Sequence, residues 1–227
     1  MSTIRDNVLH AQARVEEALE RAGRSGDSVT IVGVTKTFGP DVVEALVDAG
    51  IEHIGENRVQ EFLAKSDHVG RPCRWHLVGH LQRNKATKAI GRFHCIQSLD
   101  SVRLAQTLDR IGGERGVRTR VLLQVNTSGE DAKHGFSVEE VSDAAAEISE
   151  LRHIELDGLM TIGPATMDPV ETRECFRMLY RLRERIGHVL GRPLPDLSMG
   201  MSGDFETAIE EGATIVRLGR ILTGERE

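Results

Sequence analysis

The chain has 227 residues, 39% apolar and 28% charged, with 29 Lys and Arg against 35 Asp and Glu for a formal charge of -6. This mildly acidic balance argues against broad binding to nucleic acid or an anionic membrane, and no apolar run approaches the roughly 20 residues a membrane helix needs. Cys73, Cys95 and Cys175 are far apart, odd in number and outside any C-x-x-C pattern, which fits buried thiols in a reducing, cytoplasmic setting rather than a disulfide framework.

The first element is an amphipathic helix. Ile4, Val8, Ala11, Val15, Ala18 and Ala22 recur at steps of three or four, and Gly23 stops them. The same segment lacks the apolar core of a signal peptide. Val29-Thr30-Ile31-Val32-Gly33-Val34 then reads as a buried strand, being short, apolar and rich in β-branched residues. From there strand and helix signals alternate. Further strands are expected around 53–54, 76–78, 94–96, 121–125, 156–160, 196–199 and 215–216, and helices over 41–49, 58–65, 84–90, 101–111, 138–151, 170–190 and 205–211. Strands separated by helices pair in parallel through right-handed crossovers, and eight such units close into a (β/α)8 TIM barrel. The expectation is one α/β domain over 1–227, with the N-terminal helix as an extra. An open doubly wound sheet would call for a G-x-G-x-x-G turn after the first strand. Val34-Thr35-Lys36-Thr37-Phe38-Gly39-Pro40 lacks it.

Active sites of such barrels gather at the carboxyl ends of the strands. Those ends carry Lys36, Glu56 and Asn57, His80 to Gln82, Ser98, Asn126, Thr161, Ser198 to Ser202, and Arg217 to Arg220. Lys36 follows an almost wholly apolar run, so its stem is expected to leave a dry region. Desolvation disfavours the ammonium form, which suits a Schiff-base lysine; the plain alternative is a solvated surface lysine. Ser198-Met199-Gly200-Met201-Ser202-Gly203-Asp204 places small residues before a helix, where free amides suit a phosphate. Its plain alternative is a turn with Asp204 as cap. In Arg217-Leu218-Gly219-Arg220, Gly219 allows backbone amides near the same phosphate and Arg217 projects into the mouth. The plain alternative there is an arginine paired with a structural carboxylate. A lysine, a phosphate cradle and a planar cation at one mouth fit a phosphorylated aldehyde cofactor.

Other constellations are weaker. His76 and His80 lie about 13 Å apart along a strand at about 3.3 Å per residue, too far to share a zinc with Cys73, so no metal is expected. No G-x-S-x-G elbow marks a serine nucleophile. Arg173, Arg177, Arg181 and Arg185 form a stripe on one helix, read as a solvated face relieved by Glu171, Glu174 and Glu184. Lys133, in the loop 126–135, is a second amine near the mouth. It is placed to assist ligand transfer or simply to be solvated.

At these residues the sequence resembles the pyridoxal phosphate (PLP) homeostasis proteins, which look like the barrel domain of alanine racemase standing alone. The motifs are Val34-Thr35-Lys36-Thr37, Gly55-Glu56-Asn57-Arg58-Val59-Gln60-Glu61, Trp75-His76-Leu77-Val78-Gly79-His80-Leu81-Gln82-Arg83-Asn84-Lys85, Gly158-Leu159-Met160-Thr161-Ile162, 197–202 and 216–219. The resemblance covers nearly the whole chain. It implies that Lys36 forms the Schiff base, that Arg217 faces the pyridine nitrogen, and that Ser202, Gly203, Gly219 and the backbone of Arg220 hold the phosphate. Asn57, Ser198 and Met199 would line the pocket. Arg220 departs from the family, which often has Thr there. A backbone contact survives that change, whereas a hydroxyl contact does not.

An arginine against the pyridine nitrogen makes the ring a weaker electron sink. Alanine racemase-like enzymes with this arrangement take a second acid/base from a tyrosine of an added β-domain on the partner subunit. Glu227 follows Arg217 by ten residues, and the single tyrosine, Tyr180, falls in a helix expected on the outer ring. The expected function is therefore reversible PLP binding for homeostasis, by a monomer that delivers to PLP-dependent apoenzymes. A weak amino-acid racemase is the runner-up, and a cofactor-free scaffold for a protein partner the third reading.

Overall fold

The computed structural model describes residues 3–130, 133–166 and 168–224. Of the segments singled out above, Asp131 and Ala132 in the loop before Lys133, and the two ends of the 1–227 domain, lie outside the described residues.

Eight strands form a closed, all-parallel barrel in chain order: β1 (Thr30–Val34), β2 (His53–Glu56), β3 (Arg74–Leu77), β4 (Cys95–Leu99), β5 (Thr119–Gln124), β6 (Ile154–Met160), β7 (Asp196–Ser198) and β8 (Ile215–Leu218). Closure comes from β1 pairing β8, with Val32 opposite Arg217 and Gly33 opposite Leu218. The α/β barrel expected from the alternation is the observed architecture, and no open sheet edge remains among these strands.

Helix α1 (Ile4–Arg21) opens with a capping box: the Thr3 hydroxyl accepts from Asp6 N–H while the Asp6 carboxylate accepts from Thr3 N–H. Its stripe of Val8, Ala11, Val15, Ala18 and Leu19 is buried against α8 (Phe205–Glu210) and α9 (Arg220–Thr223). The remaining helices are α2 (Pro40–Asp48), α3 (Val59–Lys65), α4 (Ala86–Ala89), α5 (Val102–Arg115), α6 (Val141–Ser149) and α7 (Pro169–Val189). None of the described helices is long and apolar enough to cross a membrane.

Three boundaries differ from the sequence reading. The segment 84–90 splits into a 3-10 turn (Arg83–Lys85) and the short α4. Helix α6 starts at Val141 because Ser137 and Glu140 cap each other, each side chain accepting the other's backbone N–H. Helix α5 runs past Ile111 to Arg115 and stops where Gly116 turns left-handed, at φ 66.

Alternation along the strands creates two cores. Outward residues such as Ile54, Leu77, Ile96, Leu123, Leu159, Leu197 and Val216 pack against the helices. Inward residues Val32, Val78, Cys95, Leu122, Met160 and Ile215 form a separate, smaller apolar cluster inside the barrel. Polar side chains share that interior, and they position the site.

Candidate functional site

Lys36 stands on a braced platform just past β1. The Thr35 hydroxyl donates to Glu56 Oε1 at 2.6 Å, and Lys65 Nζ donates to both Glu56 Oε1 at 2.7 Å and the Thr35 carbonyl at 2.9 Å. All three side chains are buried. Burial raises the Glu56 carboxyl pKa, against the opposing pull of Lys65 and Thr35, and Glu56 Oε2 has no hydrogen-bond partner among the described residues. On the other flank Thr37 takes a left-handed φ of 67, a conformation costly for a β-branched residue and most often found where surrounding structure enforces it.

Lys36 itself is exposed. This corrects the expectation of a desolvated amine: the buried run ends at Thr35, and Lys36 and Thr37 after it are both exposed. Among the described residues Lys36 makes no ion pair or hydrogen bond. The structure thus leaves a free amine at the mouth, held by a rigid base.

Around the mouth, Asn57 follows β2 and is half-buried. Gly79, after β3, packs directly on it; a Cβ there would stand 2.3 Å from the Asn57 carbonyl oxygen. The loops after β7 and β8 meet each other. Gly219 N–H donates to Ser202 Oγ at 3.3 Å, and Arg217 N–H donates to the Gly200 carbonyl at 3.0 Å. Gly200 has φ +91, with Phe205 and Ala208 pressed against the place a Cβ would take. Asp204 occupies the N-cap position of α8, as the plain alternative supposed, but its side chain makes no capping hydrogen bond. Its carboxylate instead accepts from Met201 N–H at 2.6 Å, closing the 201–204 turn. Ser202 is half-buried, and Gly203 and Arg220 are exposed beside it.

Arg217 is buried, 5% exposed, inside the barrel below this cradle. Its NH1 donates to Ser198 Oγ at 2.6 Å and its NH2 to the Thr161 carbonyl at 2.7 Å. No carboxylate forms an ion pair with it among the described residues; Asp204 acts on it only from further away, and burial pushes its pKa down to about 10. The plain alternative of an arginine matched to a structural carboxylate therefore does not hold here. Two of five guanidinium donors are used, so a buried cation keeps capacity for an acceptor ligand. Ser198 and Met199 part company: Ser198 faces the interior, whereas the Met199 side chain packs in the outer core, as neighbours on one strand must.

Titratable groups cluster at both ends; the sequence reading named His76 and His80 but not the groups they join. At the rim His80 Nδ1 is 2.6 Å from Asp100 Oδ2, and the His80 and His134 rings stack at 4.2 Å. At the amino-terminal end Arg120 sits between Asp157 (2.6 Å) and Asp196 (2.7 Å), with its NH1 on His94 Nε2 at 3.0 Å. His53, His76 and His94 cluster beside it, with ring centroids 5.0 to 5.7 Å apart. His76 and His80 thus belong to different groups, as their spacing along the strand requires. The trio was legible only as histidines recurring at or beside the starts of β2, β3 and β4. Lys65 carried a clearer signal, since it continues the buried α3 stripe of Val59 and Phe62 at a step of three.

Lys133 is not a loose amine. It is held by Ser128 Oγ, Glu130 Oε1 and the Gly163 carbonyl at 3.1, 2.6 and 2.8 Å. The arginine stripe on α7 is relieved less by its own helix than by α8: Arg173 pairs with Glu210 and Glu211, and Arg177 with Glu211 as well as Glu174. Tyr180 lies on α7, outside the barrel, against Gly212 and Arg183.

The family described as alanine racemase, N-terminal domain, matches residues 8–227. A pyridoxal phosphate homeostasis protein of Aquifex aeolicus is 40% identical over 215 residues, 94% of each chain. Among solved structures, an unknown protein from Bifidobacterium adolescentis superposes with a TM-score of 0.91 at 38% identity, covering 96% of this chain and 94% of its own. PipY of Synechococcus elongatus, solved with PLP bound, gives 0.82 at 34% identity, covering 92% of this chain and all of its own (100%).

Proposed function

This chain belongs to the pyridoxal phosphate homeostasis proteins of the alanine racemase N-terminal domain family, and from that premise we propose that it binds PLP on Lys36 as a reversible store, without robust catalysis. The observation that carries the reading is the pair of unmatched groups at one barrel end. Lys36 is a free amine on a braced platform, and Arg217, on the neighbouring strand, is a buried cation without an ion-paired carboxylate among the described residues. When bound, PLP supplies an aldehyde that condenses with an amine as a Schiff base, releasing water.

The residues present fit that group. Lys36 supplies the amine. Arg217 would hold the ring nitrogen through its remaining N–H donors and, as a cation, would disfavour protonation of that nitrogen. Ser202, Gly203, Gly219 and the backbone of Arg220 offer donors to the phosphate. Asn57 and Ser198 would line the ring's pocket, and Met199 would contribute through its backbone, since its side chain packs in the outer core. We take the whole chain, 1–227, as one domain acting as a cytoplasmic monomer that hands PLP to apoenzymes.

Borohydride reduction of the PLP-loaded protein followed by peptide mapping should place the pyridoxyl label on Lys36, and Lys36→Ala should lose the visible absorbance of the bound cofactor. A label elsewhere, or retained absorbance, overturns the assignment. The second reading, a weak amino-acid racemase, is favoured by His80, an imidazole held by Asp100 at the rim that would serve as acid or base. Turnover of L- to D-amino acids at ordinary enzymatic rates, lost in His80→Ala, would replace the carrier reading with this one.

A further inference from the structure

A file of hydrogen-bonded side chains crosses the barrel interior below Arg217. Ser198 Oγ, which accepts from Arg217 NH1 at 2.6 Å, donates to Gln97 Oε1 at 2.7 Å. Gln97 Nε2 meets His76 Nδ1 at 2.9 Å, and His76 Nε2 meets His53 Nδ1 at 2.8 Å. Arg217, Ser198, Gln97 and His76 are 0 to 5% exposed, and His53 is half-buried at the amino-terminal end.

The direction of this file follows from its first member. A guanidinium only donates, so Ser198 accepts from it and has its own proton to place. Gln97 Oε1 takes that proton, which turns the Gln97 amide N–H towards His76. His76 Nδ1 must then be an acceptor, so the single proton of the neutral ring sits on Nε2 and is donated to His53. Flipping the Gln97 amide would aim two donors at Ser198 and leave its hydroxyl proton without an acceptor in a dry site, a costly arrangement. The neutral state of His76 is supported by its surroundings: burial and the facing His53, His94, Arg120 and Arg74 all disfavour protonation.

We propose that Ser198, Gln97 and His76 are positioning residues for Arg217, a relay in which the acceptor nitrogen of a deep histidine holds the amide, the amide holds the hydroxyl, and the hydroxyl holds the guanidinium at the mouth. This deepens the PLP reading and rests on it for its ligand. Ordering the guanidinium beforehand means that the ligand's nitrogen meets a fixed donor, and less conformational freedom is lost on binding.

The test compares His76→Asn with His76→Leu. Asparagine offers Oδ1 near the place of Nδ1 and keeps an acceptor for Gln97; leucine fills the space without one. PLP titration followed by absorbance should show binding about tenfold weaker for His76→Leu and Gln97→Leu, the size expected for a misdirected buried hydrogen bond, and within about twofold of wild type for His76→Asn. Nitrogen NMR of the ligand-free wild type should find the His76 proton on Nε2 and slowly exchanging Arg217 guanidinium protons, which become fast in Gln97→Leu. Equal PLP affinity in His76→Leu, Gln97→Leu and wild type, or equal losses in His76→Asn and His76→Leu, overturns the relay. So does an His76 proton on Nδ1. If His76→Leu does not fold, Gln97→Leu and the NMR signals decide. Failure of the wild type to bind PLP overturns the PLP reading instead, and the ligand-free NMR still judges the relay.

Discussion

Arg120 at one end of this barrel and Lys36 and Arg217 at the other are treated in opposite ways. At the amino-terminal end Arg120 is clamped between Asp157 and Asp196, and His94 leans on it. At the carboxyl end Lys36 and Arg217 have no carboxylate in contact among the described residues. A charge matched inside the protein contributes to holding the barrel together. A charge left unmatched weakens the fold locally and is held ready for something from outside.

Crossed substitutions test the contrast most severely. Arg217→Met should cut PLP affinity roughly 30-fold, the order expected for losing a charge-assisted hydrogen bond, while leaving the unfolding free energy unchanged or raised, because an unpaired buried cation is replaced by apolar atoms. Arg120→Met should do the reverse, costing about 2–3 kcal/mol of stability by stranding two partly buried carboxylates while PLP titration of the folded protein stays at wild-type affinity. Urea unfolding and PLP titration on both variants decide it; matching phenotypes would erase the distinction between the ends.

Acid should find the amino-terminal end first. In the unfolded chain the histidines gain protons below about pH 6.5. In the folded chain burial, aided by Arg74 and Arg120 and opposed by Glu52, Glu155 and Asp157, holds His53 down to about 4 and keeps His76 and His94 below their ordinary value. The unfolded state therefore binds more protons, so stability is full above about pH 6.5 and falls as the pH drops. For buried His76 the loss grows as the pH drops below about 6.5. Urea titrations from pH 8 to pH 5 should show this slope, and His76→Asn should remove one proton's share of it. The smallest effect belongs to the outer surface: Arg177→Ala, although it breaks pairs with Glu174 and Glu211, should leave the urea unfolding midpoint close to that of the wild type.

Much of the carboxyl end was legible before any coordinates. Lys36, Ser202, Gly219 and Arg217 lie at or just past the carboxyl ends of short strands, and a barrel sends such residues to one mouth. Lys36 was misjudged in one respect. The apolar run before it implied a buried amine, but Lys36 is exposed, and nothing in Val34-Thr35-Lys36-Thr37 signals that. The amino-terminal end was barely legible. Arg120, Asp157 and Asp196 come from β5, β6 and β7, 37 and 39 residues apart, and only the register of a closed sheet brings them together.

The sequence by itself determined the architecture, because the alternation of period-two and period-3.6 signals is local and leaves a parallel barrel as the closed solution. It also determined which residues stand at the strand ends. Tertiary structure decided how those residues are charged, braced and connected: that Lys65 reaches Glu56, that Arg217 is left without a carboxylate, and that Gln97 and His76 complete its support. Those partners lie on different strands and helices. Hydrogen bonds act over about 3 Å whatever the separation along the chain, so the pairing appears only once the barrel has closed.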